Sequence, residues 1–328
     1  MADKKITELT AETSPNNADL IPIVTNTDST AVTKKITVAN LMGGLIAPEG
    51  FLINGKIVPS VTSGNLTVAI KGLDGNNPSS TNPVYIRIGD AIRSITSALS
   101  VTKNAGTNWF NAGSSELATK EIDYFVYLGY NATDGVVIGF SRIPYATEYS
   151  QFSTTSTNEK YCAISTITNA AAGDDYVVIG RFAATLSAGA GYTWSVPTFT
   201  SKNLIQRPIY ETRTLTWTPA IVGWATTPSL SYARYQIVGK RVFTSIRVEA
   251  ATSNSSTVSF TLPIYAKYNV EPQIWRVMDN GVWQPIGGDS YVNAHEGKII
   301  VYKDCAVAGF TASGNKMAFG ENYYIISD

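Results

Sequence analysis

Short strand-like runs recur along most of this chain, and clusters of turn residues separate them. The turn clusters include DGNNP at residues 74–78 and NATDG at residues 131–135. Many short strands at this spacing are typical of antiparallel sandwiches and barrels, so we expect an all-β fold. The runs rich in Val, Ile, Tyr and Phe include residues 66–70, 84–88, 122–128, 136–140, 176–182, 232–238, 240–248, 257–262, 298–302 and 323–326.

Alternation is clearest near residue 245, where one face carries Val242, Thr244, Ile246 and Val248. This period of two predicts a half-buried strand. A glycine at position 239 marks a tight turn before that strand. Residues 90–99 are ambiguous between a strand and a short helix.

The chain is long enough, at 328 residues, for two or three domains. We divide it into an extended N-terminal segment at 1–50, a middle β domain at 51–202 and a C-terminal β-sandwich domain at 203–328. The predicted fold is thus all-β, with an extended segment followed by two antiparallel β-sandwich or barrel domains.

Charge and hydropathy argue against two classes of partner. Lys plus Arg and Asp plus Glu both number 25, and the densest basic spots are the pairs at 4–5 and 34–35, too few for a phosphate footprint. Glycine, threonine or proline interrupts every apolar run well short of a membrane span, and no apolar signal-peptide core follows Met1. We expect neither nucleic-acid binding nor membrane insertion.

The two cysteines, Cys162 and Cys305, exclude a disulfide framework. One long-range bridge is possible, but two reduced, buried thiols are favoured. Reduced thiols fit assembly in a reducing cytoplasm.

The first 42 residues form a polar, threonine-rich segment with a few apolar clusters. So few apolar groups cannot offset the cost of ordering the backbone, so the segment cannot bury a core by itself. It either folds back on its own domain or, as we favour, docks on a partner or a symmetry mate. Residues 19–24 and 35–38 are expected to form two short strands, with Pro22 restricting the first to a sheet edge or a bulge. The candidate docking residues are the apolar ones: Ile6, Leu9, Leu20, Ile21, Ile23, Val24, Ile36, Val38 and Leu41.

Three short motifs in this segment carry a family resemblance: KITELT at 5–10, DLIPIV at 19–24 and TKKITVANL at 33–41. They resemble the N-terminal module of tailed-bacteriophage virion proteins, particularly tail fibres. The stretches YQIVGKRV at 235–242 and SFTLP at 259–263 are similar to C-terminal β domains of phage fibres. The resemblance implies a homotrimer that attaches to other tail or head proteins by its N-terminus and contacts a host-surface glycan or protein by its C-terminal domain.

Residue types that carry catalysis are sparse. The single histidine, His295, lies in a predicted turn without a Cys–His cluster or a G-x-S-x-G elbow near it, so we expect no metal, no cofactor and no enzyme. Phage depolymerases use paired carboxylates, which keeps a polysaccharide hydrolase open as an alternative. The candidate carboxylates are Asp174, Asp175, Asp289, Glu296 and Asp304.

Aromatic residues offer the best candidate binding chemistry. Aromatic faces pack against the C–H groups of sugars while planar polar side chains bind the hydroxyls. Each tryptophan could instead lie in a sandwich core or between subunits. The candidates near the turn at Asn280 and Gly281 are Trp283, Gln284, Asp289, Tyr291 and Asn293. A head fibre, collar or decoration protein without a receptor role is the remaining alternative.

Overall fold

The computed structural model describes residues 20–27, 30–37, 49–114, 116–144, 174–187, 189, 191–200 and 211–326. This part of the chain is nearly all-β and is built from several antiparallel sheets. Its only helical element is a single 3-10 turn at Trp109–Asn111. No helix in the described ranges has the length and hydropathy that crossing a membrane requires.

Twelve strands lie in the described ranges before residue 201. They are β1 (Leu20–Thr27), β2 (Thr30–Thr37), β3 (Leu52–Ile53), β4 (Gly55–Thr62), β5 (Asn65–Gly72), β6 (Val84–Ile88), β7 (Ala91–Ile95), β8 (Leu99–Lys103), β9 (Glu121–Asn131), β10 (Gly135–Ser141), β11 (Asp175–Thr185) and β12 (Phe199–Thr200).

Ten more strands follow residue 211. They are β13 (Leu215–Thr216), β14 (Ile221–Val222), β15 (Leu230–Val238), β16 (Arg241–Thr252), β17 (Val258–Thr261), β18 (Val270–Asp279), β19 (Val282–Trp283), β20 (Gly288–Asn293), β21 (Lys298–Val301) and β22 (Asn315–Ile325).

The all-β prediction is confirmed, and so is the alternation in β16, whose buried positions are Val242, Thr244, Ile246 and Val248. The helical alternative for residues 90–99 is wrong, because half of this stretch, Ala91–Ile95, forms β7, which pairs with β6. Its Ile95 is buried and completes an apolar face that local sequence does not mark.

Strands β1 and β2 form a two-stranded antiparallel sheet that pairs with no other described strand. Pro22 therefore lies on an edge, as predicted. Ile21 faces its cross-strand partner Ile36, and both are half-buried. A two-stranded hairpin is marginal by itself in water, so this hairpin needs further contacts to be stable.

The described residues between 49 and 200 form three sheets, with orders β3-β6-β7, β4-β5-β8 and β10-β9-β11-β12. Strand β9 is buried on both faces from Ile122 to Gly129. Its Tyr124 lies at the centre of an aromatic cluster with ring centroids 5.4–5.7 Å from its own. The other rings of that cluster are Phe110, Phe140, Phe182 and Trp194.

The strands after residue 211 form one sheet in the order β13-β15-β16-β22-β18-β20-β21-β17-β14, with β19 added to β18. This sheet curls into a half-barrel. The indole of Trp217, just after β13, lies edge-on to Tyr235 and donates to the Thr261 carbonyl of β17 at 3.0 Å. The enclosed core includes Trp275, whose ring stacks on Phe260 at 5.5 Å.

Buried polar contacts join the strands before residue 200 to the half-barrel. Arg142 is 1% exposed and donates to the carbonyls of Phe110 at 3.1 Å and Pro263 at 3.0 Å. Asp123 of β9 is fully buried and binds the guanidinium of Arg213 at 2.7 Å and that of Arg181 at 3.3 Å. These contacts bury charged groups between the two sets of strands. Removal of one member of a pair would leave the other charge buried without a partner.

Because two lysines are buried, we expect the free energy of unfolding to rise with pH. Burial lowers the pKa of Lys103 and of Lys316 to about 8, from 10.5 in the unfolded chain. The unfolded chain therefore binds more protons between pH 8 and pH 10.5, and folding is favoured as pH rises through that window. Burial raises the pKa of the tyrosines Tyr124 and Tyr235, so stability falls again above about pH 10, where unfolded tyrosines ionise.

We expect the free energy of unfolding in urea to rise by about 1 kcal/mol per lysine from pH 7.5 to pH 10. The variant Lys316→Met, which keeps the side chain beside the rings of Trp224 and Phe310, should lose its share of the rise. Lys71→Met is the matched control, because the Lys71 ammonium binds Asn77 at the surface. A flat or falling profile in the wild-type protein would contradict the prediction.

Candidate functional site

The candidate site is the outer face of the half-barrel, formed by side chains of β15, β16, β18 and β22 that point away from its core. Because side chains alternate along each strand, direct cross-strand partners lie on the same face. On this face Tyr232 pairs with Arg247, Arg247 with Phe319, and Phe319 with Arg276. The row ends at Trp283, whose short strand β19 pairs with β18.

Trp283 is presented by a two-residue turn between β18 and β19. Both turn residues have positive φ, Asn280 at 48° and Gly281 at 77°, as a tight hairpin with the twist of its strands requires. The indole is 41% exposed and lies edge-on to Phe319, with centroids 6.1 Å apart. The turn thus fixes an exposed tryptophan on a rigid sheet.

Two adjoining grooves cross the outer face. The first has a volume of about 850 Å³ and lies among Tyr232, Trp283, Phe319 and the exposed Ile274 and Ile286. The second has a volume of about 580 Å³ and lies beside Phe243 and Tyr323. Ser245 and Glu321 line both grooves, so the two form one elongated depression. These volumes are in the range of small-molecule sites, and the shape suits an extended ligand.

Guanidinium groups lie against the aromatic rings of the first groove. The Arg276 carbon Cζ is 4.8 Å from the ring centroid of Trp283 and 5.9 Å from that of Phe319. Arg247 approaches Phe319 from the other side at 5.6 Å, and Arg234 lies 5.4 Å from Tyr232. Such cation–π contacts hold long, flexible side chains in place.

Arg247 also binds the carboxylate of Glu249 at 3.0 Å. Hydrogen bonds from Ser231 and then from Arg247 lower the pKa of Glu249. Glu249 therefore stays ionised and neutralises Arg247.

The structure places Trp283 and Gln284, two of the five predicted glycan-binding residues, in the first groove. The backbone N–H of Gln284 donates to the Val277 carbonyl at 3.0 Å, which holds the strand end against β18. Trp283 is exposed, as its position beside the Asn280–Gly281 turn predicts.

The other three candidates, Asp289, Tyr291 and Asn293, occupy alternate positions on β20 and line neither groove. Asp289 is the cross-strand partner of the groove residue Ile274, so it extends the same face beyond the groove. The ring of Tyr291 stacks on Tyr302 at 6.1 Å. Burial, followed by the charges of Tyr291 and Asp289, raises the pKa of Tyr302.

Sequence reasoning missed most of the groove. Tyr232, Arg234 and Arg247 could have been found from the strand period, because they alternate with buried residues. Phe319 and Glu321 could not, because only the end of β22 was recognised as a strand. Their place beside Trp283 follows from the non-local pairing of β22 with β18.

The candidate catalytic carboxylates are dispersed. Asn293 pairs with Lys298, so Glu296 lies in the turn at the far end of the β20–β21 hairpin from Asp289, about 13 Å along the strand. Glu296 pairs with Lys298, and Asp304 accepts backbone N–H groups of its own turn. Asp175 begins β11, and Asp174 directly precedes it. Across the described ranges, no group of three or more metal-binding side chains converges.

His295 lies exposed in the turn at residues 294–297, as predicted. The expectation of two buried thiols is wrong for Cys305, which is a free but exposed cysteine. The reason is local: the carboxylate of Asp304 folds back on the N–H groups of Ala306 and Ala308, and this turn leaves the thiol outside the core. Cys162 lies outside the described residues.

Of the candidate docking residues in the N-terminal segment, Leu20, Ile21, Ile23 and Val24 lie on β1 and Ile36 lies on β2. The predicted strands are confirmed, although each is longer than expected. Ile6, Leu9, Val38 and Leu41 lie outside the described residues.

No protein-family model matches the sequence, and a search of curated proteins finds no match.

Proposed function

We propose that this chain is a structural protein of a bacteriophage virion, a trimeric tail fibre that binds glycans of the host surface by its C-terminal domain. Residues 1–50 form the extended segment that attaches to other tail or head proteins, residues 51–202 a middle β domain, and residues 203–328 a C-terminal β-sandwich domain. The chain is assembled in the host cytoplasm and acts by binding rather than catalysis, without a cofactor, a nucleic acid or a membrane.

The observation that carries the binding role is the exposed aromatic groove beside Trp283. An indole and a phenyl ring line a depression of about 850 Å³, and Gln284, Ser245 and Glu321 supply polar atoms at its walls. Apolar faces with a few fixed polar groups are the usual composition of a ligand site. A fibre with a purely structural role has no need of such a groove, so the groove favours the receptor-binding alternative.

The N-terminal hairpin supports the attachment role. Its sheet has two edge strands and no third described strand, and such a hairpin gains stability by docking on another surface. Trimerisation would supply one such surface, and the virion would supply another.

The test of glycan binding is adhesion of the labelled full chain to a panel of bacterial strains. We expect Trp283→Ala to weaken adhesion at least tenfold, because an exposed tryptophan at the centre of a groove is a typical binding hot spot. Tyr268→Ala is the matched control, since Tyr268 is also exposed but lines neither groove. Equal adhesion of the Trp283→Ala variant and the wild type would rule out the groove as the receptor site.

The attachment role is tested by labelling intact virions with an antibody against this chain and by measuring the mass of the purified oligomer in solution. We expect label on a tail appendage and a mass three times the 35.3 kDa of one chain. Label on the head or collar would select the alternative of a head fibre or decoration protein. A monomer that is absent from particles would contradict the virion assignment itself.

A further inference from the structure

Cations and aromatic rings alternate along one row of the outer face. Across four strands the row reads Tyr232, Arg247, Phe319 and Arg276, and Trp283 closes it. A guanidinium that packs its flat face on a ring keeps its in-plane N–H donors available for an oxyanion. The row therefore presents fixed donors between apolar surfaces.

Two arginines that line the grooves, Arg234 and Arg276, have no acidic partner among the described residues. Arg247 is neutralised by Glu249, but no carboxylate in the described part of the chain lies within 4.0 Å of Arg234 or Arg276. Both side chains are exposed, and each lines one of the grooves. Unpaired arginines held by aromatic rings are typical of anion recognition.

The charge of the whole face agrees with an anionic ligand. The described outward positions of β15, β16, β18 and β22 carry four arginines, at 234, 241, 247 and 276, and two glutamates, at 249 and 321. This face is therefore positive by two charges, on a chain whose formal net charge is zero. Arg276 lines the first groove and Arg234 the second, and Glu321, which lines both, leaves the groove residues with one excess positive charge.

We infer that the groove takes an acidic glycan, a polysaccharide whose sugar units carry carboxylate groups. Sugar rings pack on Trp283 and Phe319, while Arg276 and Arg234 bind carboxylates of units along the chain. The two adjoining grooves accommodate several units, which a single neutral sugar would not need. This inference rests on the proposed glycan-binding function and specifies its ligand.

The test measures binding of the full chain to immobilised polygalacturonate, alginate and hyaluronan, each beside its carboxyl-reduced form. We expect binding to at least one uronate polymer and a loss of tenfold or more on carboxyl reduction. Arg276→Gln and Arg234→Gln should each weaken binding about tenfold. Arg241→Gln, which removes the same charge from the same face outside both grooves, should stay within twofold of the wild type.

The inference would be overturned by no binding to any of the uronate polymers, by equal binding to the reduced polymers, or by equal losses in all three arginine variants. If carboxyl reduction has no effect but Trp283→Ala still abolishes adhesion to cells, the proposed function stands and only the acidic ligand fails. A change in oligomer mass on Arg276→Gln would place this face between copies of the chain and also overturn the inference.

Discussion

Replacing Asp123 by alanine is expected to lower the free energy of unfolding by about 3–5 kcal/mol, because it leaves buried donors without an acceptor. The Asp123 carboxylate accepts from the backbone N–H of Arg213 at 2.9 Å and from its guanidinium at 2.7 and 3.0 Å. Arg181, which binds the same carboxylate, also donates to the Glu211 carbonyl. Denaturation of the full chain in urea measures the effect.

Asp90→Ala is the matched control. Asp90 also pairs with an arginine, Arg93 at 3.8 Å, but its side chain is 95% exposed. An exposed pair of this kind contributes little, so we expect a loss of about 0.5 kcal/mol or less. If both alanine variants lost the same small amount of unfolding free energy, the buried ion pairs of Asp123 would not stabilise the contact between the sheets as their geometry indicates.

Trp275→Ala should destabilise the half-barrel by a similar amount, about 3–5 kcal/mol, because it opens a cavity in the core. The fully buried ring stacks on Phe260, and its N–H donates to the Asn322 side chain at 2.8 Å. The ring also lies over Gly320, where a Cβ would come within 2.4 Å of it. Gly320→Ala therefore tests the same contact from the other side and should be destabilising by about 1–3 kcal/mol.

Trp283→Ala makes the same substitution in a strand paired with β18 and provides the control. Its ring is exposed, so we expect a loss below about 1 kcal/mol in thermal or urea unfolding. This difference would also show that weakened adhesion of the Trp283 variant comes from the groove and not from unfolding. Similar losses of unfolding free energy in the two variants would contradict the assignment of Trp275 to the core and Trp283 to the surface.

The strands that local sequence predicts are those in which the period-two alternation and the content of Val, Ile, Tyr and Phe both indicate a strand. Strand β6 was predicted with its observed bounds, and the outward and inward positions of β16 follow from alternation alone. Trp283 was found because a glycine turn lies beside it. These are features that a window of a few residues contains.

The strands that were missed contain residues with poor strand propensity. Pro272 lies in β18, next to a bulge where the side chain of Gln273 bonds the backbone of Tyr323 in place of a regular ladder. Gly320 lies in β22 because the ring of Trp275, on the paired strand β18, occupies the space that a Cβ would need. Since non-local contacts select these residues, the arginine–aromatic row could not be read from the chain alone.

The position of β22 has a consequence for synthesis. This strand, at Asn315–Ile325, lies between β16 and β18, which both precede it in the chain. A nascent chain on the ribosome therefore holds β16 and β18 with open edges until almost the last described residue has emerged. The groove can form only after that point, and the waiting edges are sites where neighbouring nascent chains can pair wrongly. The outer face is therefore completed only when β22 pairs with two neighbours that were both synthesised before it.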